Sequence, residues 1–98
     1  MEQAIEYLQI SWKLGKTLKE VAYHFRVDGG NLARAFRNRQ NMTVKEYMDW
    51  MRRQYITAAI MRDHPLGYQL ADELGFPTDI SFYRWVKRVF GVSFQELQ

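Results

Sequence analysis

Residues 70–91 of the chain read LADELGFPTDISFYRWVKRVFG. A helix over residues 66–74 is expected to end at Gly75, because glycine readily adopts left-handed backbone, and Pro77 with Thr78 marks a turn. A second helix follows the turn and ends at Gly91. Its apolar residues recur at helical spacing and form an inner face: Phe82, Val86, Val89 and Phe90. Two helices joined in this way predict a helix-turn-helix unit.

The first half of the chain carries a weaker copy of the same pattern. Thr17 and Glu20 have the spacing of a capping box, which opens a second helix, and Asp28 is placed to cap a third. The apolar positions of these two helices are Leu18, Val21, Ala22 and Phe25, then Leu32, Ala35 and Phe36. The sequence therefore predicts one helix-turn-helix at residues 17–40 and another at residues 65–90.

The remaining segments are also predicted to be helical. A first helix ends at Gly15, a long connecting helix covers residues 43–62, and Ser93 opens a short last helix. Asp63 is expected to cap the fifth helix. The register of the connecting helix is set by Val44, Tyr47, Met51, Tyr55 and Ala58. The expected fold class is all-α, a single domain over residues 1–98 with seven helices forming two helix-turn-helix subdomains.

The composition excludes several classes of protein. The 98 residues are 47% hydrophobic and 26% charged, as in an ordinary globular domain. Cysteine is absent, which excludes disulfides, thiol nucleophiles and cysteine-based metal sites, and the two histidines lack metal-ligand spacing. We therefore expect a cytoplasmic protein without a membrane span, cofactor or metal. The net charge of +3 favours an anionic partner if the cations are clustered.

The second unit carries a distinctive set of residues: Ala71-Asp72-Glu73-Leu74-Gly75-Phe76, Phe82, Lys87-Arg88, Phe90-Gly91 and Ser93. In this spacing they resemble the second helix-turn-helix of the AraC/XylS family of bacterial transcription regulators. Residues 18–36 are similar to the family's first unit, and Tyr47 and Arg52 to its connecting helix. The resemblance implies that helices three and six are recognition helices for double-stranded DNA, separated by helix four. It also implies a companion effector or dimerisation domain, which 98 residues do not accommodate.

Five positions depart from the family pattern: Asn41 replaces Gly, Gly67 replaces Ile, Ile80 replaces Ser, Val86 replaces Phe and Phe94 replaces Pro. Asparagine tolerates left-handed backbone, and Val86 and Phe94 remain apolar, so the expected fold is unchanged. Ile80 is expected to point outward and to alter which bases are read.

The outward faces of helices three and six carry the candidate DNA contacts. The predicted base contacts are Gly30, Ala33 and Arg34 on helix three, and Asp79, Ile80, Ser81, Tyr83 and Arg84 on helix six. The predicted phosphate contacts are Arg37, Arg39, Lys87 and Arg88. Arg34 and Arg84 are the leading candidates for base contacts, because a guanidinium can bind guanine through two hydrogen bonds. One such arginine alone is more often a solvated surface residue, but two in matching contexts favour recognition.

The favoured function is a sequence-specific transcription regulator that places two recognition helices in successive major-groove segments. The alternative is a helical protein-interaction module, with RNA polymerase as a candidate partner, that binds DNA only nonspecifically. An enzyme is disfavoured, because the sequence contains no nucleophile elbow, zinc-protease motif or phosphate-binding glycine loop.

Overall fold

The computed structural model describes all 98 residues and contains seven α-helices and no strand. The helices are α1 Glu2–Leu14, α2 Leu18–His24, α3 Gly29–Gln40, α4 Val44–Asp63, α5 Gly67–Glu73, α6 Asp79–Phe90 and α7 Phe94–Leu97. The predicted all-helical class is confirmed. None of these helices combines the length and the apolar character needed to cross a membrane.

Side-chain caps determine where most of the helices begin. Thr17, Thr43 and Ser93 each open a capping box, in which a glutamate three residues later accepts the N–H of the capping residue. Those hydrogen bonds lower the pKa of all three glutamates: Glu20, Glu46 and Glu96. Asp28 caps α3 by accepting the backbone N–H of Asn31 at 2.9 Å. The predicted starts of α2, α3, α4 and α7 therefore agree with the structure.

The start of α5 differs from the prediction. Asp63 is the last residue of α4 rather than a cap, and its carboxylate pairs with Arg62 at 2.7 Å. His64 then turns the chain in left-handed backbone with φ 48°. The N–H of Leu66 donates to the side-chain oxygen of Gln69 at 3.0 Å and so begins α5. Asp63 lies within α4 and three residues before Leu66, the N-cap of α5, so its carboxylate is not placed at the start of that helix.

Two hydrophobic clusters, one in each unit, form the core. The N-terminal cluster joins α1, α2, α3 and the start of α4, and the C-terminal cluster joins the end of α4 with α5, α6 and α7. Their fully buried side chains include Leu8, Leu32 and Phe36 in the first cluster and Ile56, Leu70 and Phe82 in the second. Trp12 packs against both clusters. The helix α4, about 30 Å long at 1.5 Å per residue, spans the two units.

Two predictions of the inner faces were wrong. Ala58 is exposed, whereas Ile56 and Ala59 of the same helix are buried. Trp85 was missing from the predicted inner face of α6 but is buried, and its indole N–H donates to Asp49 on α4 at 2.9 Å. Both errors arise because α4 packs against two different units, so it lacks a single inward stripe and supplies a polar partner for α6.

Arg26, in the turn between α2 and α3, is strained. Its φ of 56° matches that of Gly75, 73°, in the turn of the second unit. Left-handed backbone destabilises a residue that has a side chain by about 1–2 kcal/mol, and glycine removes this strain. Part of the stability gained is lost again, because glycine increases the conformational entropy of the unfolded chain. Arg26→Gly should therefore raise the free energy of unfolding by about 0.5–1 kcal/mol in urea denaturation. Asn41→Gly, at φ 59°, is the control and should gain less, because asparagine tolerates this conformation. A loss of stability in Arg26→Gly would contradict the argument.

Candidate nucleic-acid interface

The helices α3 and α6 are the second helices of their units and present equivalent outward faces. Asp28 caps α3 and Thr78 caps α6, and the sixth residue after the cap is an exposed arginine in both: Arg34 and Arg84. The fourth residue after the cap, Leu32 or Phe82, is fully buried. Because residues two apart on a helix point in widely different directions, the buried anchor turns each arginine away from the core.

On α3, small residues surround an ordered arginine. Gly30 is exposed and Ala33 is partly exposed, so neither projects far from the helix. The guanidinium of Arg34 donates to the side-chain oxygen of Asn31 and lies beside Gly30, toward the first turn of the helix. Arg37, one turn further on, is exposed and forms no ion pair within 4.0 Å. This face therefore offers two cations and a closely approachable backbone.

On α6, the outward side chains are larger. Ile80 is 62% exposed, and Asp79 before it is also exposed in the first turn. Arg84 and Lys87 are exposed and form no ion pair within 4.0 Å. With Ile80 they line an open cleft of about 620 Å³ between α5, α6 and α7. The face combines an acceptor, an apolar group and two available cations.

Two of the predicted base contacts on α6 are engaged within the protein. The ring of Tyr83 lies over Gly67, where an added Cβ would stand 2.7 Å from its Cε1 atom, yet the residue is 43% exposed. The Ser81 hydroxyl donates to the carbonyl of Thr78 at 2.7 Å and accepts the N–H of Thr78 at 3.3 Å. Tyr83 therefore retains an exposed edge, whereas Ser81 must give up hydrogen bonds at the helix start to reach a base. The glycine at position 67, where the family usually has isoleucine, was the feature of the sequence from which this packing of Tyr83 could have been predicted.

The four predicted phosphate contacts fall into two groups. Arg37 and Lys87 lack carboxylate partners, as described above. Arg39 pairs with Glu2, and this hydrogen bond raises the pKa of Arg39. Arg88 lies 3.6 Å from Asp49, between its Nη1 atom and the carboxylate Oδ2. Both side chains of the Arg39–Glu2 pair are exposed, whereas that of Asp49 is only 22% exposed. Exposed ion pairs are weak and screened by salt, so a phosphate can replace Glu2 more readily than Asp49. A phosphate contact by Arg39 or Arg88 would require that arginine to leave its carboxylate partner.

Two further arginines on α4 serve the fold. The guanidinium of Arg52 lies 4.7 Å from the centroid of the Phe76 ring, and its Nε donates to the carbonyl of Trp12 at 3.2 Å. Burial lowers the pKa of Arg52. Arg53 stacks over the Phe90 ring at 5.3 Å. Arg52 therefore links the two units, and Arg53 packs on the second unit alone.

A sequence-family profile described as a helix-turn-helix domain matches residues 21–98, which include α3, α6 and the α4 helix between them. The chain belongs to the AraC-type helix-turn-helix family. It is accordingly a DNA-binding domain of the transcription-regulator class and not an enzyme.

A solved structure has the same fold as this AraC-type domain. The C-terminal domain of AraT, a response regulator from Geobacillus stearothermophilus, matches it with a TM-score of 0.79 at 20% sequence identity. The match covers 98% of this chain and 80% of that chain. No curated protein sequence matches the chain.

Proposed function

We propose that this AraC-type domain is a sequence-specific transcription regulator that inserts α3 and α6 into successive major-groove segments of one duplex. The proposal is carried by the equivalence of Arg34 and Arg84, which occupy the same register, are both exposed and stand opposite buried anchors. Successive major-groove segments on one face of DNA lie about 34 Å apart. The long axis of the domain is 39 Å, which exceeds that separation.

Within this function, the two units contribute unequally to base discrimination. The second and fifth residues after the cap are Gly30 and Ala33 in α3 but Ile80 and Tyr83 in α6. Glycine and alanine offer almost no side chain to a base edge, whereas Ile80 can pack against a thymine methyl. The α6 unit then supplies most of the discrimination between bases. The α3 unit contributes Arg34, and its small residues let its backbone approach the phosphates closely.

The competing function is a protein-interaction module that contacts RNA polymerase and binds DNA only nonspecifically. One observation favours a protein contact somewhere on the domain: Tyr23 on α2 is 87% exposed and lies outside both recognition helices. Exposed aromatic residues are enriched in protein interfaces.

Selection from a random duplex pool, followed by competition with unrelated duplex, tests the proposal. The selected sequence should bind at least about a thousandfold more tightly than the unrelated one. Binding should also weaken steeply with salt, with a slope of log K against log salt of about −3.6 if four cations each contact a phosphate. Replacing Arg37 and Lys87 together by alanine should reduce the magnitude of that slope by about 2. Equal affinity for both duplexes would contradict sequence-specific reading and leave only the nonspecific binding of the competing function.

A further inference from the structure

The two units touch at a second place besides α4. Gly15, after α1, faces Gly75, in the turn of the second unit, backbone to backbone. A Cβ added to Gly75 would stand 2.7 Å from the nitrogen of Gly15 and 2.7 Å from the carbonyl carbon of Leu14. A Cβ added to Gly15 would stand 2.9 Å from the carbonyl carbon of Gly75. Both glycines also have left-handed backbone, with φ 69° and 73°. The contact leaves no room for a side chain on either side.

Neighbouring side chains hold this contact in place. Arg52 of α4 donates to the carbonyl of Trp12, in the last turn of α1, while stacking on Phe76, which follows Gly75. The Trp12 ring lies 5.8 Å from that of Tyr55 and packs against both hydrophobic clusters. The end of α1 thus belongs to the first unit by its chain position and to both units by its contacts.

A single connecting helix fixes the distance between the two units more firmly than it fixes the angle between them. The α4 helix holds the units apart, but a small change of side-chain packing on either half can rotate one unit about the helix axis. A second attachment away from that axis removes this freedom, because tightly packed backbone is hardly compressible. We infer that the Gly15–Gly75 contact sets the angle between α3 and α6, and with it the base-pair spacing that the domain reads; this rests on the proposed function, in which both helices bind one duplex.

The test is a spacing series on the selected duplex, with one or two base pairs inserted or deleted between the segments beneath α3 and α6. Gly75→Ala disrupts the contact. Gly91→Ala is the matched control, because Gly91 has the same left-handed backbone, φ 79°, and no atom lies within 4 Å of its added Cβ. Wild type and Gly91→Ala should lose about tenfold in affinity for each base pair of altered spacing. Gly75→Ala should move the optimum by a base pair or flatten the series to less than about threefold.

A second variant keeps the inference testable if Gly75→Ala does not fold, which urea denaturation followed by circular dichroism reveals. Arg52→Lys retains the charge but lacks the Nε donor to the carbonyl of Trp12. It should change the spacing profile in the same way as Gly75→Ala, but by a smaller factor. If each of these two variants that folds shows the same spacing profile as Gly91→Ala, the inference is overturned. If wild type shows no spacing preference at all, the proposed two-helix function fails, and the inference fails with it.

Discussion

Phe82→Ala is expected to lower the free energy of unfolding by about 3–5 kcal/mol. Phe82 is fully buried at the centre of the C-terminal cluster, and its ring centroid lies 5.4 Å from that of Phe76 and 5.5 Å from that of Phe94. Removing the ring eliminates these contacts and leaves a cavity between α5, α6 and α7. A domain of this size has a total stability of about 5–15 kcal/mol, so the variant loses a large part of it.

Urea denaturation measures this loss, and Ile80→Ala provides the control on the same helix. Ile80 is 62% exposed, so its truncation should change the free energy of unfolding by less than about 0.5 kcal/mol. It should nevertheless weaken DNA binding, which separates folding from recognition within one helix. A loss below about 1 kcal/mol for Phe82→Ala would show that Phe82 does not anchor the C-terminal cluster.

Arg84→Ala should weaken binding to the selected duplex about 5- to 150-fold, which corresponds to about 1–3 kcal/mol. The reason is the loss of a bidentate guanine pair, so preference should relax at one or two base positions only. Arg53→Ala is the charge-matched control, because Arg53 lies on α4 and stacks over Phe90. Its affinity should remain close to that of wild type. Uniform weakening across all sequences in Arg84→Ala would make Arg84 a phosphate contact instead.

The same binding measurements, repeated with Arg34→Ala and with single mismatches along the selected duplex, test the unequal division of labour between the units. Mismatches beneath α6 should cost about 1–3 kcal/mol each, and those beneath α3 less, apart from the base pair that Arg34 reads. Equal costs beneath both helices would contradict the contrast between Gly30 with Ala33 and Ile80 with Tyr83.

The sequence by itself determined most of the helix boundaries and the outward direction of Arg34 and Arg84. A capping box requires only two residues three positions apart, so Thr17, Thr43 and Ser93 could be identified without any tertiary information. Left-handed backbone at Gly75 and Gly91 is likewise a property of the residue and its place at a helix end. The outward register of Arg34 and Arg84 followed from apolar periodicity, because the buried face of a short amphipathic helix specifies the opposite face.

Only the tertiary structure decided how the two units are joined and which cations are available. Asp49 meets Trp85 across 36 positions of the chain, and Arg52 meets Trp12 across 40. Helical periodicity relates only neighbours within a few turns, so it assigned no partner to any of these residues. The contact of Gly15 with Gly75 was hidden for the same reason, since each glycine is fully explained locally as a helix end. Space between packed helices is shared by residues distant in sequence, and it becomes defined only when those helices meet.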